Sequence, residues 1–477
     1  MKRLTVIHIL GVFVITVCLS TCQSQTSGNK LKQLHQDLIV VTDSISQLMS
    51  DYHYNPAELA TDEYLDLEQK IGDLAKTVQS KQEFIDGFNV LWSNGPFSHV
   101  RLAFLERPAK EMANFIDSME IGNQGVSLKW MGKTAVLNVT TMTGIDTKEK
   151  IFEGYREIAR NEAESLIIDL RNNTGGTFAG IPLIGHLIKD SIDAGLFVSR
   201  KWWKNHSEVP NLLDAQDLSP WNGWSIKTFW HDVQEQPLTR IKFVPMTPQF
   251  RGPTYVLISK KTASAAEFTV DALAQVESVI IIGETTAGEM LSQKMYDLPH
   301  GFQLSLPIAE YYSHRIGKIE GKGVEPEIVI DQNVAIDVAF SLIEGEKPED
   351  AISSAQKALN ELKKQPLGEP IYLLGSMNGW GNNPDMTPQF EFMGEGVYET
   401  TTTLKKGQYE FKIASMDWSF DFGANSNQEN VTIGQKTSLA STSGSNNLKI
   451  NILEESLLRF SLYVSNEKAV ILHIYKN

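Results

Sequence analysis

Three short stretches carry residues that could perform nucleophilic chemistry. Ser264 stands between a β-rich run, Thr254 to Ser259, and a helical pattern that opens with Ala265-Ala266-Glu267. A serine nucleophile needs a base, a group that orients the base, and main-chain N–H donors for the oxyanion. A helix start supplies N–H groups and a positive dipole end, so the position suits attack on a carbonyl. Ser264 with Glu267 also reads as a plain capping box. Arg171 to Gly176 follows the apolar run ending in Asp169-Leu170, and paired glycines let main-chain N–H groups approach a ligand closely. By itself, the pattern favours a plain tight βα turn. His99 follows Ser98 at the end of Asn94-Gly-Pro-Phe-Ser-His99; it is one of 10 histidines, and pattern alone does not select it.

Taken together, the segments Leu166–Gly176, Thr262–Glu267, Ile282–Gly288 and Glu320–Glu327 resemble, in order and spacing, the tail-specific (C-terminal-processing) and tricorn-type serine peptidases. The resemblance spans roughly residues 95–345. It implies Ser264 as nucleophile, with Ala265 N–H and a Gly175 or Gly176 N–H as oxyanion donors. One branch of the family uses a Ser–Lys dyad. Here Glu289 occupies the lysine position and Lys294 is out of register. The tricorn-like branch uses Ser, His, a second Ser and a Glu. Ser98, His99 and Glu320 match that pattern, with His99 as base. C-terminal-processing members also insert a peptide-binding domain before the core. The short stretch from Arg107 to Val126 cannot hold one, which puts selection of free C-termini in doubt.

The elements that must position these residues are expected as follows. Residues 31–95 form a helical preface, with Leu31, Leu34, Leu38, Val41, Ile45 and Leu48 at helical spacing. Residues 96–345 form the peptidase core, in which strand and helix patterns alternate. That predicts an α/β fold around a central sheet, crotonase-like by the resemblance. Residues 202–251, rich in Trp, Pro and Asn, read as an irregular lid or substrate-contact insertion. A helix and linker occupy 346–367. From 368 to 477, short strands between Gly, Asn and Ser turns predict an all-β sandwich, with 437–447 as a loop or weak strand pair. This module resembles the α-glucan-binding, immunoglobulin-like domains of starch-debranching enzymes. Trp380 and Trp418 are its candidate sugar-stacking residues, or else sandwich-core aromatics.

The net charge of −15 and the lack of a basic cluster argue against nucleic acid. No cofactor or metal is expected. Lys2 and Arg3 precede an apolar stretch, Leu4 to Leu19, too short to span a bilayer. Leu19-Ser20-Thr21-Cys22 resembles a bacterial lipoprotein box, with Thr21 a departure. This predicts a signal peptide over 1–22, a lipid on Cys22, a tether over 23–30 and an extracytoplasmic, membrane-anchored chain. The function expected is a serine endopeptidase acting on extracytoplasmic peptides or unfolded proteins through an acyl-enzyme on Ser264. The alternative is an inactive surface protein that binds peptides or α-glucan. An esterase is disfavoured, since no Gly-x-Ser-x-Gly elbow surrounds Ser264.

Overall fold

The structure is a computed structural model that describes residues 7–382, 387–425, 428–441, 445–465 and 470–476, with side chains from residue 29 onward. Lys2, Arg3 and the side chain of Cys22 lie outside the described residues. One helix, Ile7–Tyr52, runs through the segment read as a tether. Its stripe Leu38, Val41, Ile45 and Met49 is buried, so full burial begins about two turns after Leu31, where the helical periodicity was expected to start. Two more helices, Asp62–Leu74 and Lys81–Trp92, complete the preface. Thr61 caps the first and Ser80 the second through side-chain oxygens.

Apolar runs without alternation need cover on both faces, and the core strands have it. The strands Ile328–Val329, Val279–Gly283, Thr254–Ile258, Ser165–Asp169, Thr134–Val139 and Val126–Met131 lie side by side in that order. All neighbours are parallel except the last hairpin. Ile168, Val256 and Ile281 turn to one face, where Ile151, Phe268 and Val270 of two helices cover them. Ile167, Tyr255, Leu257 and Ile282 turn to the other, against Val338, Ala339 and Ala355 from helices Ala335–Ile343 and Pro348–Lys363.

A second sheet was not legible in the sequence. Its order is Arg101–Phe104, Phe302–Ser313, Ile192–Ser199, Leu238–Phe243, and strands Leu291–Leu298 and Gly317–Lys318 also pair with Phe302–Ser313. All its pairings are antiparallel. The segment 202–251 is therefore not an irregular lid. It holds helix Ile226–Glu235 and strand Leu238–Phe243, at one edge of this sheet. Ser225 caps the helix, and Asp117 accepts the Ile226 N–H at 2.7 Å. Phe229 and Val233 bury the helix face. Where an inserted peptide-binding domain would begin, the chain has the helix Ala109–Asp117, which supplies that Asp117 cap.

From Tyr372 the fold is all antiparallel β, nine strands among the described residues. The strand Asp421–Ala424 pairs with both Ile413–Ala414 and Leu439–Ala440, joining the two halves of the sandwich at a corner. Ile413, Leu448, Phe460 and Leu472 fill its interior. The segment 437–447, read as a loop or weak pair, opens on most of strand Lys436–Ala440, while 442–444 lie outside the described residues, as does Ala469 beside strand Val470–Lys476.

Candidate active site

The nucleophile candidate sits where a parallel strand ends and a helix begins. After strand Thr254–Ile258 the turn is stapled to the neighbouring strand end. Thr262 Oγ1 donates to the Leu170 carbonyl at 2.9 Å, and Ala263 N–H donates to the Asn173 carbonyl at 3.0 Å. Ser264 follows with φ 53° and ψ −121°, a backbone region costly for a side-chain-bearing residue, at the start of helix Ala265–Leu273. Such strain persists only where neighbours enforce it. Glu267, fully buried, does so: its carboxylate accepts N–H groups from Ser264 (2.9 Å), Gly288 (2.8 Å) and Glu289 (2.8 Å), and the Thr286 hydroxyl at 2.5 Å. Burial pushes the Glu267 carboxyl pKa up, and these four donors pull it back only in part. The capping-box reading is thus half of the picture. Glu267 holds the Ser264 N–H, while the Glu267 N–H goes to the Ser264 carbonyl at 2.8 Å.

The Ser264 hydroxyl lies 3.4 Å from His99 Nε2. His99 Nδ1 lies 2.6 Å from Ser98 Oγ. Glu320 Oε1 accepts the Ser98 N–H at 3.0 Å, and its Oε2 accepts the Met290 N–H at 2.6 Å. The structure therefore brings Ser264, His99, Ser98 and Glu320 into one chain of contacts. Two of these residues lie just before the first antiparallel strand, one ends a parallel strand's turn, and one follows the short strand Gly317–Lys318. Desolvation lowers the His99 pKa to about 4, so the ring is neutral at pH 7. Burial raises Glu320 to about 7 against the pull of the Ser98 and Met290 donors, with Glu310 adding to the rise.

Gly175 passes close to Ser264. A Cβ there would meet the Ala263 carbonyl and Ser264 Cβ, both at 2.7 Å, and its φ of 88° disfavours any side chain. Its N–H donates to Asn173 Oδ1 at 2.9 Å. Asn173, buried, also donates from Nδ2 to the Val139 carbonyl at 2.9 Å. Of the two glycines, only Gly176 has an N–H that meets no acceptor among the described residues; the same holds for Ala265. Glu289, at the dyad-lysine position, is exposed, and Lys294 donates to Gln234 Oε1 at 2.7 Å. Neither is a base for Ser264.

These residues open into a cavity of 410 Å³, walled by Phe178, Phe197, Phe229, Trp230 and Phe268. Sequence reading missed this wall. Its residues come from four separate elements, and the one available signal was the aromatic content of 202–251. Trp380 and Trp418 belong to neither the sandwich core nor this cavity. They line a second cleft with the turns around Ser264. Among the described residues no group of His, Cys, Asp and Glu could hold a metal ion.

Residues 133–330 match the profile of Peptidase family S41, and residues 368–450 match the Pullulanase X25 domain. Ser98 and His99 lie outside the first match. Over 133–330 the core is thus similar to peptidase family S41, and the β module that follows it is similar to the pullulanase-type domain. Relatives include a carboxyl-terminal-processing protease of Picosynechococcus sp., 25% identical over 187 residues, covering 39% of this chain and 37% of the relative. The carboxy-terminal processing protease CtpA of Bacillus subtilis is 25% identical over 192 residues, 40% of this chain and 34% of the relative. The chain thus aligns with little more than a third of the length of these two relatives. A solved lipoprotein from Streptococcus agalactiae is similar at 18% identity and a TM-score of 0.41, covering 65% of this chain and 96% of that one.

Proposed function

We propose that the chain is a serine endopeptidase that cleaves peptides or unfolded proteins through an acyl-enzyme on Ser264. The observation that carries this is the Ser264–His99–Ser98–Glu320 chain at the mouth of an apolar cavity. Neutral His99 takes the Ser264 proton on Nε2 as Oγ attacks the scissile carbonyl, then gives it to the leaving amine. For that role Nδ1 carries the other proton and donates to Ser98 Oγ. Ser98 in turn passes the charge of Glu320 to the imidazolium. Ala265 and Gly176 N–H groups receive the developing oxyanion, the Gly175 N–H being spent on Asn173. The 3.4 Å contact between Ser264 and His99 is an apo distance that shortens when substrate fills the site. The aromatic wall favours an apolar side chain beside the scissile bond. A fluorophosphonate probe should label Ser264, and Ser264→Ala should abolish both labelling and cleavage. Peptidase activity that survives in that variant sinks the assignment.

The same reading places the chain outside the cytoplasm, held to a membrane by a lipid on Cys22. Its support is the basic start, the apolar stretch and Leu19-Ser20-Thr21-Cys22. Palmitate incorporation that persists in Cys22→Ala counts against it. A second reading, α-glucan capture by the C-terminal module, is favoured by the pullulanase-type match. Retardation in a starch gel tests it.

A further inference from the structure

We infer that the C-terminal sandwich completes the substrate cleft, with Trp380 and Trp418 forming an aromatic subsite for the polypeptide being cut. The inference rests on the peptidase reading above. A cleft of 380 Å³ lies between the two modules. Trp380, Met416 and Trp418 line one side, and Thr174, Ala263 and Glu289 the other. Thr174 also lines the cavity that holds Ser264. Ala263 precedes Ser264 in the chain, and Glu289 precedes Met290, another residue of that cavity. The two spaces are therefore neighbours with Thr174 in the wall of both, so a polypeptide held at Ser264 has the second cleft within reach.

The module is docked by the loops that carry the tryptophans. Lys261 Nζ donates to the Met416 carbonyl at 2.7 Å. The Gly379 main chain lies so close to Gln124 that a Cβ would come within 2.5 Å of its Oε1. Both tryptophans have left-handed backbones, φ 61° and 59°, rare for bulky side chains. Neither ring packs in the sandwich core, and their centroids stand 6.1 Å apart at 41°. Strain of this kind, held at a cleft, marks a site where side-chain direction matters.

The occupant is polypeptide rather than α-glucan. Both rings open onto a space whose far wall is the nucleophile's own turn. A chain bound at Ser264 reaches it without leaving the protein, whereas a glucan offers Ser264 no bond to cut and would compete for the same space. Two rings at this angle suit an aromatic or proline side chain a few residues from the scissile bond.

The test uses the full chain carrying Ser264→Ala and measures fluorescence anisotropy of labelled peptides. A short peptide fills only the apolar cavity. Two longer ones extend it on either side and carry an aromatic residue. One extension should tighten binding about tenfold, and the Trp380→Ala/Trp418→Ala pair should erase that gain while Trp380→Phe/Trp418→Phe keeps most of it. In the active chain the same extension should lower KM. A gain that survives in the alanine pair, or no gain from either extension, overturns the inference. So does maltoheptaose binding that depends on the two tryptophans without any effect of peptide extension. Failure of the peptidase reading shows separately, as absent Ser264 labelling in the unaltered chain.

Discussion

The carboxylate of Glu267 accepts the main-chain N–H of Ser264 at 2.9 Å and the N–H groups of Gly288 and Glu289 at 2.8 Å. One buried group thus ties the nucleophile turn to the turn that follows strand Val279–Gly283. The left-handed backbone of Ser264 depends on this tie.

Removing the carboxylate leaves four donors without their acceptor. Each unsatisfied buried donor costs about 1–3 kcal/mol. Glu267→Ala should therefore lower stability by roughly 3 kcal/mol or more, and turnover should fall with it. Urea unfolding gives the first quantity. A loss below about 1 kcal/mol would show that water replaces the carboxylate, contrary to the burial of this site.

The two titrating groups of the site set the pH dependence. His99 is neutral above about 4, and Glu320 is ionised above about 7. The competent form, neutral His99 with ionised Glu320, accumulates as the pH rises through about 7. Cleavage should show an acidic limb there, and Glu320→Gln should move it toward about 4 while lowering kcat. The stability contributions run in opposite directions. That of His99 is present above its ordinary 6.5 and is lost as the pH falls through about 4. That of Glu320 is present below its ordinary 4.5 and is lost as the pH rises through about 7.

Gly175 leaves no room for a methyl group. Gly175→Ala should press on Ser264 Cβ and the Ala263 carbonyl and displace the oxyanion donors. The rate of fluorophosphonate labelling should drop about 100-fold or more, the scale of losing an oxyanion donor. Labelling at the normal rate would place the oxyanion site elsewhere.

Ile167 faces the helices Ala335–Ile343 and Pro348–Lys363, away from the catalytic residues. Ile167→Ala should cost about 2–5 kcal/mol in thermal or chemical unfolding. Because Ile168 faces the other side, KM at a temperature where the variant is folded should stay as it was. A shifted KM would mean that the two faces of the sheet are coupled.

The local elements were legible because their causes are local. The unbroken apolar run Leu166-Ile167-Ile168 requires cover on both faces, and it is a parallel strand between two helical layers. Thr134–Val139, Thr254–Ile258 and Val279–Gly283 follow the same logic. The antiparallel sheet was hidden because strand Leu291–Leu298 is mostly half-buried and Leu238–Phe243 lies in a Trp- and Pro-rich stretch. Such strands are stabilised by partners distant in the chain, which no window of sequence displays.

The sequence by itself marked a strand-to-helix turn at Ser264 and a paired-glycine turn at Gly175-Gly176, since each rests on residue types at fixed short spacing; the link to Ser98-His99 came only with the family resemblance. Only the tertiary structure decided that His99 meets Ser264 across 165 positions, that Glu320 reaches Ser98 across 222, and that the tryptophan loops face the peptidase core. Those meetings depend on how two sheets and a sandwich pack together, and packing is a property of the whole folded chain.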